Sequence, residues 1–518
     1  MRPPCDEAVI QSGAARAPCA AAARNWILVG TILGSSMAFI DGTVVNVALP
    51  AIQNGFRATV VDMQWVVESY GLALSALILV GGSLGDLLGR RRVFVTGITI
   101  FALASLSCGL AASIGQLILA RSIQGVGAAL LVPGSLAIVS ASFDQQRRGQ
   151  AIGTWSGFTA ITTAVGPVMG GWLVEHGSWR WAFFLNLPLA AAVILIAIWR
   201  IPESRSFAGR IDWPGTVLAA LGLGGLVNGF IESVNLGWGS STVLGSLLVG
   251  LACLAAFWFV EARASSPIVP LSLFESGSFS GANLLTLFLY AAVGIFFFLF
   301  PLDLIQVQRY SATAAGAAIL PLILLVFLLS RWSGGLIARY GPRGPLTVGP
   351  LIVGLGFVLL TLPSIGDSYW RGFFPGVVVL GCGMAVTVAP LTTVVMNSVG
   401  QDRVGTASGV NNAVARVAGV LAIAVLGILM VSAFSSRLNR ELDAAALLPG
   451  VAQEIRAEAT KLAGTRVPSE LDTASQAAIR QSIGASFVFG FRIIMLICAG
   501  LAVASAVVAR AMISKDNS

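Results

Sequence analysis

Long apolar stretches recur along the chain, each near the roughly 20 residues that carry one α-helix across a bilayer, and short clusters of arginine, glycine and proline separate them. Their lengths predict a first group of spans at about 26–50, 63–85, 93–112, 116–140, 150–174 and 181–201. Two more follow at 213–234 and 242–261. A last group lies at 279–303, 313–339, 345–365, 372–396, 405–433 and 485–511. The fold class this pattern predicts is an all-α integral membrane protein with fourteen transmembrane helices. The expected organisation is a tail at 1–25, a six-helix bundle at 26–201, a linker with two extra spans at 202–278, a second six-helix bundle at 279–511, and a tail at 512–518.

Composition removes the competing classes. Over 518 residues, 56% are hydrophobic and 10% charged, against about 25% charged in a soluble domain, which excludes an ordinary water-soluble fold. The 59 glycines fit close helix packing in lipid. A net charge of +8 would invite a nucleic-acid partner, but the arginines fall in short loops and form no groove-reading surface. With the amino terminus inside, Arg90, Arg91, Arg92, Arg147, Arg148, Arg200, Arg205, Arg210, Arg263, Arg339, Arg343 and Arg403 lie on the cytoplasmic side, whereas Arg57, Arg180, Arg309 and Arg371 stay outside. Both termini are therefore expected in the cytoplasm, and the protein in the cytoplasmic (inner) membrane. The loop 434–484 then lies outside, where Ser469 followed by Asp472 resembles a helix capping box.

Catalytic and metal chemistry find little to use. His176 is the only histidine, and Cys5, Cys19, Cys108, Cys253, Cys382 and Cys498 are scattered singly, so neither a zinc spacing nor a histidine-based triad is present. Lys461 and Lys515 follow Thr460 and Ser514, not the glycine of a P-loop. No enzyme activity, metal or cofactor is expected, and energy must come from an ion gradient or from the substrate's own gradient.

Ionisable groups inside a membrane are costly and default to function. Asp41 lies nine residues before Pro50, about 13 Å from the outer end of its helix; Glu68 is about 9 Å below the start of the second span, and Arg121 about five residues into the fourth. These three are expected to share one cavity and to couple protons or contact substrate, the alternative being a static buried ion pair. In the thirteenth span Arg416 lies near mid-depth with Asn411 and Asn412 one turn below, a contact for an anionic substrate group or a helix interface. Asp303 and Glu232 are expected at solvated helix ends. Aromatic residues including Trp65, Tyr70, Trp155, Phe158, Tyr290, Phe296, Phe297 and Phe298 face either lipid or a greasy pocket.

Two inner loops repeat one another. Gly82-Ser-Leu-Gly-Asp86-Leu-Leu-Gly89-Arg90-Arg91-Arg92 follows the second span and Gly334-Gly-Leu336-Ile-Ala338-Arg339-Tyr-Gly341-Pro-Arg343 the tenth, as a duplicated six-helix unit would leave. Gly82 and Gly89 permit tight turns, while Asp86 and the arginines can pair in one conformation only. This loop resembles the signature loop of the major facilitator superfamily. Further segments resemble its fourteen-helix drug:proton antiporter branch, the EmrB/QacA type: Met37 to Pro50 with Asp41, Arg121-Ser-Ile-Gln124-Gly125, Gly166-Pro167-Val-Met-Gly170-Gly171, Trp179-Arg180-Trp181 to Asn186, and Asn411 to Arg416.

The resemblance implies that Gly82, Asp86, Gly89 and Arg90 form a conformational gate, and that Gly157, Gly166, Pro167, Gly170 and Gly171 form an antiporter helix able to pack closely and bend. It implies a proton-coupled secondary exporter of small lipophilic or cationic substrates working by alternating access. A transporter of a specific metabolite (amino acid, sugar or siderophore) and a non-transporting sensor are the alternatives. A monomer is expected. The outer loop is either a tether or a surface for a periplasmic adaptor.

Overall fold

The computed structural model describes residues 21–143, 145–204, 212–264, 267, 269–399, 404–444, 449–468 and 471–514. Most of the predicted tails 1–25 and 512–518 lies outside the described residues, as do Cys5, Cys19, Arg205, Arg210, Arg403 and Ser469. Each predicted span coincides with a helix: α1 Ala21–Phe56, α2 Val60–Leu88, α3 Arg90–Leu110, α4 Ile114–Ser142, α5 Gln145–His176, α6 Asn186–Arg200, α7 Trp213–Leu236, α8 Ser241–Glu261, α9 Gly277–Leu302, α10 Leu320–Gly334, α11 Arg343–Leu359, α12 Tyr369–Asn397, α13 Val404–Ala444 and α14 Thr473–Met512. Among the described residues, twelve helical stretches are long and apolar enough to cross a membrane. The predicted fifth and eleventh spans are not among them, α11 because it has only 17 residues.

Two boundaries differ from the sequence-based expectation. α1 does not stop at Pro50 but carries it inside the helix as far as Phe56; proline removes one backbone hydrogen bond without forbidding continuation where neighbours hold the helix. Asp41 is thus fifteen residues from that end, about 22 Å and not 13 Å. The outer segment 434–484 is largely helical, as expected, but its helices run on from the neighbouring spans. α13 continues to Ala444, a short helix covers Pro449–Ala457, a 3-10 turn covers Ala459–Gly464, and α14 begins at Thr473. Asp472 is itself the N-cap, accepting from the backbone N–H groups of Ala474 and Ser475 at 3.1 Å, so it does not serve as the third residue of a box opened by Ser469.

By contacts the chain divides into two compact units. One comprises residues up to Val45, Val66–Gly224 and Val249–Leu271; the other comprises Asn46–Trp65, Gly225–Leu248 and Ser272 onward. Inside the first, α4 is gripped by backbone-close crossings. A Cβ on Gly81 would run into the carbonyl oxygen of Ala129, one on Gly125 would lie 2.5 Å from the Tyr70 carbonyl, and one on Gly127 would lie 2.6 Å from the Phe101 nitrogen. Without a hydrophobic driving force between helices in lipid, dispersion at such crossings holds them together.

The second unit repeats the device. Gly349 follows Gly341 by eight residues as Gly97 follows Gly89, and both Gly97 and Gly349 lie where α3 meets α4 and α11 meets α12. Gly89 and Gly341 also share left-handed backbone, with φ of 112° and 67°. Phe296 stacks on Phe300 with centroids 4.8 Å apart and meets Phe357 edge-on, and Phe298 is buried, so these residues form core here. On α7 and α8, Trp213, Leu221, Leu248, Trp258 and Phe259 are exposed, as lipid-facing residues would be.

The 449–468 segment is tied down by side chains. Gln53 Nε2 donates to the Lys461 carbonyl at 3.0 Å and Gln306 Nε2 donates to Gln53 Oε1 at 2.7 Å. Burial alone would raise the Glu458 carboxyl, but the Lys461 ammonium that donates to it, the Arg466 N–H and the nearby positive charges outweigh burial and hold it below its ordinary value of 4.5.

Gly81→Ala should lower the melting temperature of the purified protein, since overpacking costs about 1–3 kcal/mol. Gly82→Ala, whose Cβ would meet only Pro133 at 3.8 Å, should be neutral or slightly stabilising. A carboxyl lowered by folding contributes stability above its unfolded pKa and loses it as pH falls through the folded value. Amide exchange over 459–468, corrected for intrinsic rate, should therefore stay slow near neutral pH and accelerate below 4.5. Glu458→Gln should remove that step.

Candidate functional site

Within the first unit Asp41 and Arg121 meet as a fully buried ion pair, the Arg121 Nη1 donating to Asp41 Oδ2. Neither charge could be held in an apolar interior unless its remaining hydrogen-bond capacity were met. It is met from within α4 and by three other helices. Gln124 Nε2 donates to Asp41 Oδ1 at 2.8 Å and Asn186 Nδ2 donates to the same oxygen at 3.3 Å. Arg121 Nε donates to the Val66 carbonyl at 3.1 Å, Arg121 Nη1 also donates to Gln124 Oε1 at 2.8 Å, and the guanidinium lies 4.2 Å from the Tyr70 ring centroid. Ser105 Oγ accepts from Asn186 at 3.0 Å and from Gln124 at 3.3 Å while donating to the Phe183 carbonyl at 2.8 Å. The result is one polar knot joining α1, α2, α3, α4 and α6.

Glu68 does not join it. Val66 and Tyr70 stand one turn apart on the face of α2 that meets Arg121, and a residue two positions from each points the other way. Glu68 is fully buried, and neither carboxyl oxygen has a hydrogen-bond partner among the described residues. The expected three-residue cavity is therefore a two-residue pair with Glu68 apart. Sequence reasoning placed Gln124 and Asn186 in motifs without a role and passed over Ser105. Their signal was polar side chains at helical spacing from Arg121 within otherwise apolar helices.

The α5 face lies against α1 just beyond Asp41. A Cβ on Gly166 would overlap Thr43 Oγ1 and one on Gly170 would lie 2.8 Å from Val44 Cγ1, while Thr162 Oγ1 donates to Ser36 Oγ at 3.0 Å. Pro167 and Gly171 are buried in the same unbroken helix. The surroundings of Gly157 lie outside the described residues.

At the α2–α3 junction Arg90 Nε and Nη2 donate to Asp86 Oδ1 at 2.9 and 2.8 Å. Gly89 is the turn, and a Cβ there would strike the Glu203 carboxylate. Gly82 is not a turn: it sits inside α2. Glu203, which carried no role in the sequence reading, is the hub opposite: its Oε1 accepts the Arg91 N–H at 3.1 Å and its Oε2 lies 3.9 and 3.8 Å from the Nε atoms of Arg91 and Arg92. The acid reads the N-terminus of α3, where backbone N–H groups lack partners.

In the second unit Asn411 Nδ2 donates to Thr286 Oγ1 at 2.8 Å and Asn283 Oδ1 at 3.2 Å, a clamp between α13 and α9. Asn412 donates to the Ser408 carbonyl of its own helix at 3.0 Å, and Arg416 is half-buried. Asp303 is not at a solvated end. It is 1% exposed and opens a π-turn, Asp303–Val307, with Oδ1 lacking a partner among the described residues. Glu232 accepts the Trp65 indole N–H at 2.8 Å.

Because Gly166 abuts α1 without room for a side chain, Gly166→Leu should abolish transport while Thr162→Val, which removes one hydroxyl contact, should reduce it only partly. Uptake into reconstituted vesicles measures both.

Known proteins resemble this chain along most of its length. A sequence profile of the Major Facilitator Superfamily matches residues 31–212 and again 213–423. The multidrug resistance protein Stp of Mycobacterium tuberculosis is 36% identical over 420 residues, 81% of this chain and 78% of that protein. The tetracenomycin C resistance and export protein of Streptomyces glaucescens is 34% identical over 428 residues, 81% of this chain and 79% of its own. Among solved structures, an inward-facing, unoccupied bacterial homologue of the human lysosomal transporter Spinster superposes with a TM-score of 0.63 at 19% identity, covering 94% of this chain and 98% of that one. The duplicated loops and these matches lead to one assignment: the chain belongs to the major facilitator superfamily.

Proposed function

We propose that this protein is a proton-coupled secondary exporter of small lipophilic, often cationic compounds, working by alternating access in the cytoplasmic membrane with both termini inside. The relatives named for multidrug resistance and for tetracenomycin C resistance and export support the efflux direction. The observation that carries the coupling is the Asp41–Arg121 knot. Every hydrogen bond to the Asp41 carboxylate given above comes from α4 or α6, so the charge on one α1 side chain fixes three helices together. A proton arriving on Asp41 would cancel its charge and leave Arg121 without its counter-ion. The knot would then favour a second arrangement, which is what a rocking bundle requires. The Asp86–Arg90 pair and the Glu203 hub are assigned to latch one of the two states.

Glu68 is assigned a second proton-accepting role, because an ionised carboxylate there would stand without donor or counter-charge. Cargo and proton would then compete for charge compensation in the first unit, one leaving as the other enters.

The test uses purified protein in vesicles with an imposed acid interior and ethidium as a lipophilic cationic probe. Wild type should show ethidium-dependent alkalinisation of the lumen. Asp41→Asn keeps the side-chain size and removes the titration, so it should lose proton-driven transport at least tenfold. Undiminished proton-coupled transport by Asp41→Asn would remove the assigned role.

A further inference from the structure

Two cavities open at the end of the second unit that carries the 449–468 segment, and both include Ile365 in their walls. The larger, about 870 Å³, falls in the range of small-molecule sites. Arg309, Arg466 and Arg480 line it together with the neutral donors Asn54, Gln306 and Gln481. Arg437 and Arg492 line the smaller, about 420 Å³. No aspartate or glutamate is among the described lining residues of either.

The three arginines come from separate segments: one just past the π-turn, one just past the 3-10 turn, one in the second turn of α14. None forms an ion pair among the described residues. Arg480 Nη2 donates to neutral Gln476 at 3.2 Å, and Glu458, the nearby acid, is occupied by Lys461 and by the backbone N–H of Arg466. Converging guanidinium groups without counter-ions repel one another, and the field they focus into a concave site favours an anion.

Backbone strain gathers at the same place. Among the described residues three non-glycines have left-handed backbone: Arg57, Arg309 and Leu462, with φ of 55°, 62° and 53°. Arg309 lines the cavity, Leu462 precedes the lining residue Ala463, and Arg57 follows the lining residue Asn54 by three positions. Such a conformation is costly and persists where surrounding structure enforces it, which is commonly at a ligand site.

We propose that the larger cavity binds an anionic group, phosphate or carboxylate, through Arg309, Arg466 and Arg480, with the apolar part of the same amphiphile against Ile305, Ile365 and Ile483. The planar fork of arginine suits these oxyanions. A phospholipid headgroup and a free anion share this chemistry.

The full-length protein in neutral detergent would be titrated with short-chain phosphatidylglycerol, with phosphatidylcholine of the same chain length, and with inorganic phosphate. Phosphatidylglycerol should bind at least tenfold more tightly than phosphatidylcholine, and Arg309→Gln/Arg466→Gln/Arg480→Gln should erase the difference. Competition by inorganic phosphate would support a free anion as occupant; binding that phosphate cannot displace would support the headgroup held with its chains. Equal affinity for the two lipids, or unchanged phosphatidylglycerol binding by the triple variant, overturns the proposal. If the triple variant does not fold, the exposed Arg480 alone decides. Arg480→Gln should weaken binding several-fold and Arg480→Lys should keep most of it, and an unaltered Arg480→Gln overturns the site equally.

Discussion

A carboxylate and a guanidinium sealed away from water persist only while each completes the other's hydrogen bonds, and the first unit is organised around that requirement. Asp41 and Arg121 belong to α1 and α4, yet neither is satisfied by the other alone. Gln124, Asn186, the Val66 carbonyl and the Tyr70 ring supply the remainder, and Ser105 orients the two amides. Leaving one partner of a buried pair alone costs about 3–5 kcal/mol. Every helix contributing to the knot is therefore held at a fixed depth and rotation by electrostatics, where packing against lipid would leave both free.

Glycine makes that geometry reachable. Short amide and hydroxyl side chains span only a few ångströms, so the helices bearing them must approach more closely than leucine or phenylalanine would allow. The contacts of Gly81 with Ala129, Gly127 with Phe101 and Gly166 with Thr43 supply that approach within the first unit. Dispersion gained at these crossings and hydrogen bonds gained in the knot are two parts of one arrangement, since removing the close approach would lengthen the bonds.

Much of this was legible in the chain. Apolar run length located the helices, twelve of which are long and apolar enough to span among the described residues, because lipid demands internally satisfied backbone and so leaves helix as the form of a single spanning segment. Asp41 and Arg121 stood out because charge is rare in such runs. What was not legible is of two kinds. Rotation about a helix axis decided that Glu68 turns away from Arg121, and depth estimates taken from presumed helix ends failed at Pro50, which α1 absorbs. Polar partners without charge, Ser105 and Gln124 above all, look like many other serines and glutamines until the fold collects them. Glu203 was missed because its partner is chiefly the bare nitrogen of a helix start, which no side-chain pattern advertises.

The π-turn at Asp303–Val307 decides which way the residues after it face. A wider turn of this kind holds one residue more than the α-helical register would, and everything after it is rotated accordingly. A plain continuation of α9 would present a different set of side chains inward beyond Asp303. One residue more in a helix, with no exchange of amino acid, is enough to turn everything after it by about 100° at 3.6 residues per turn.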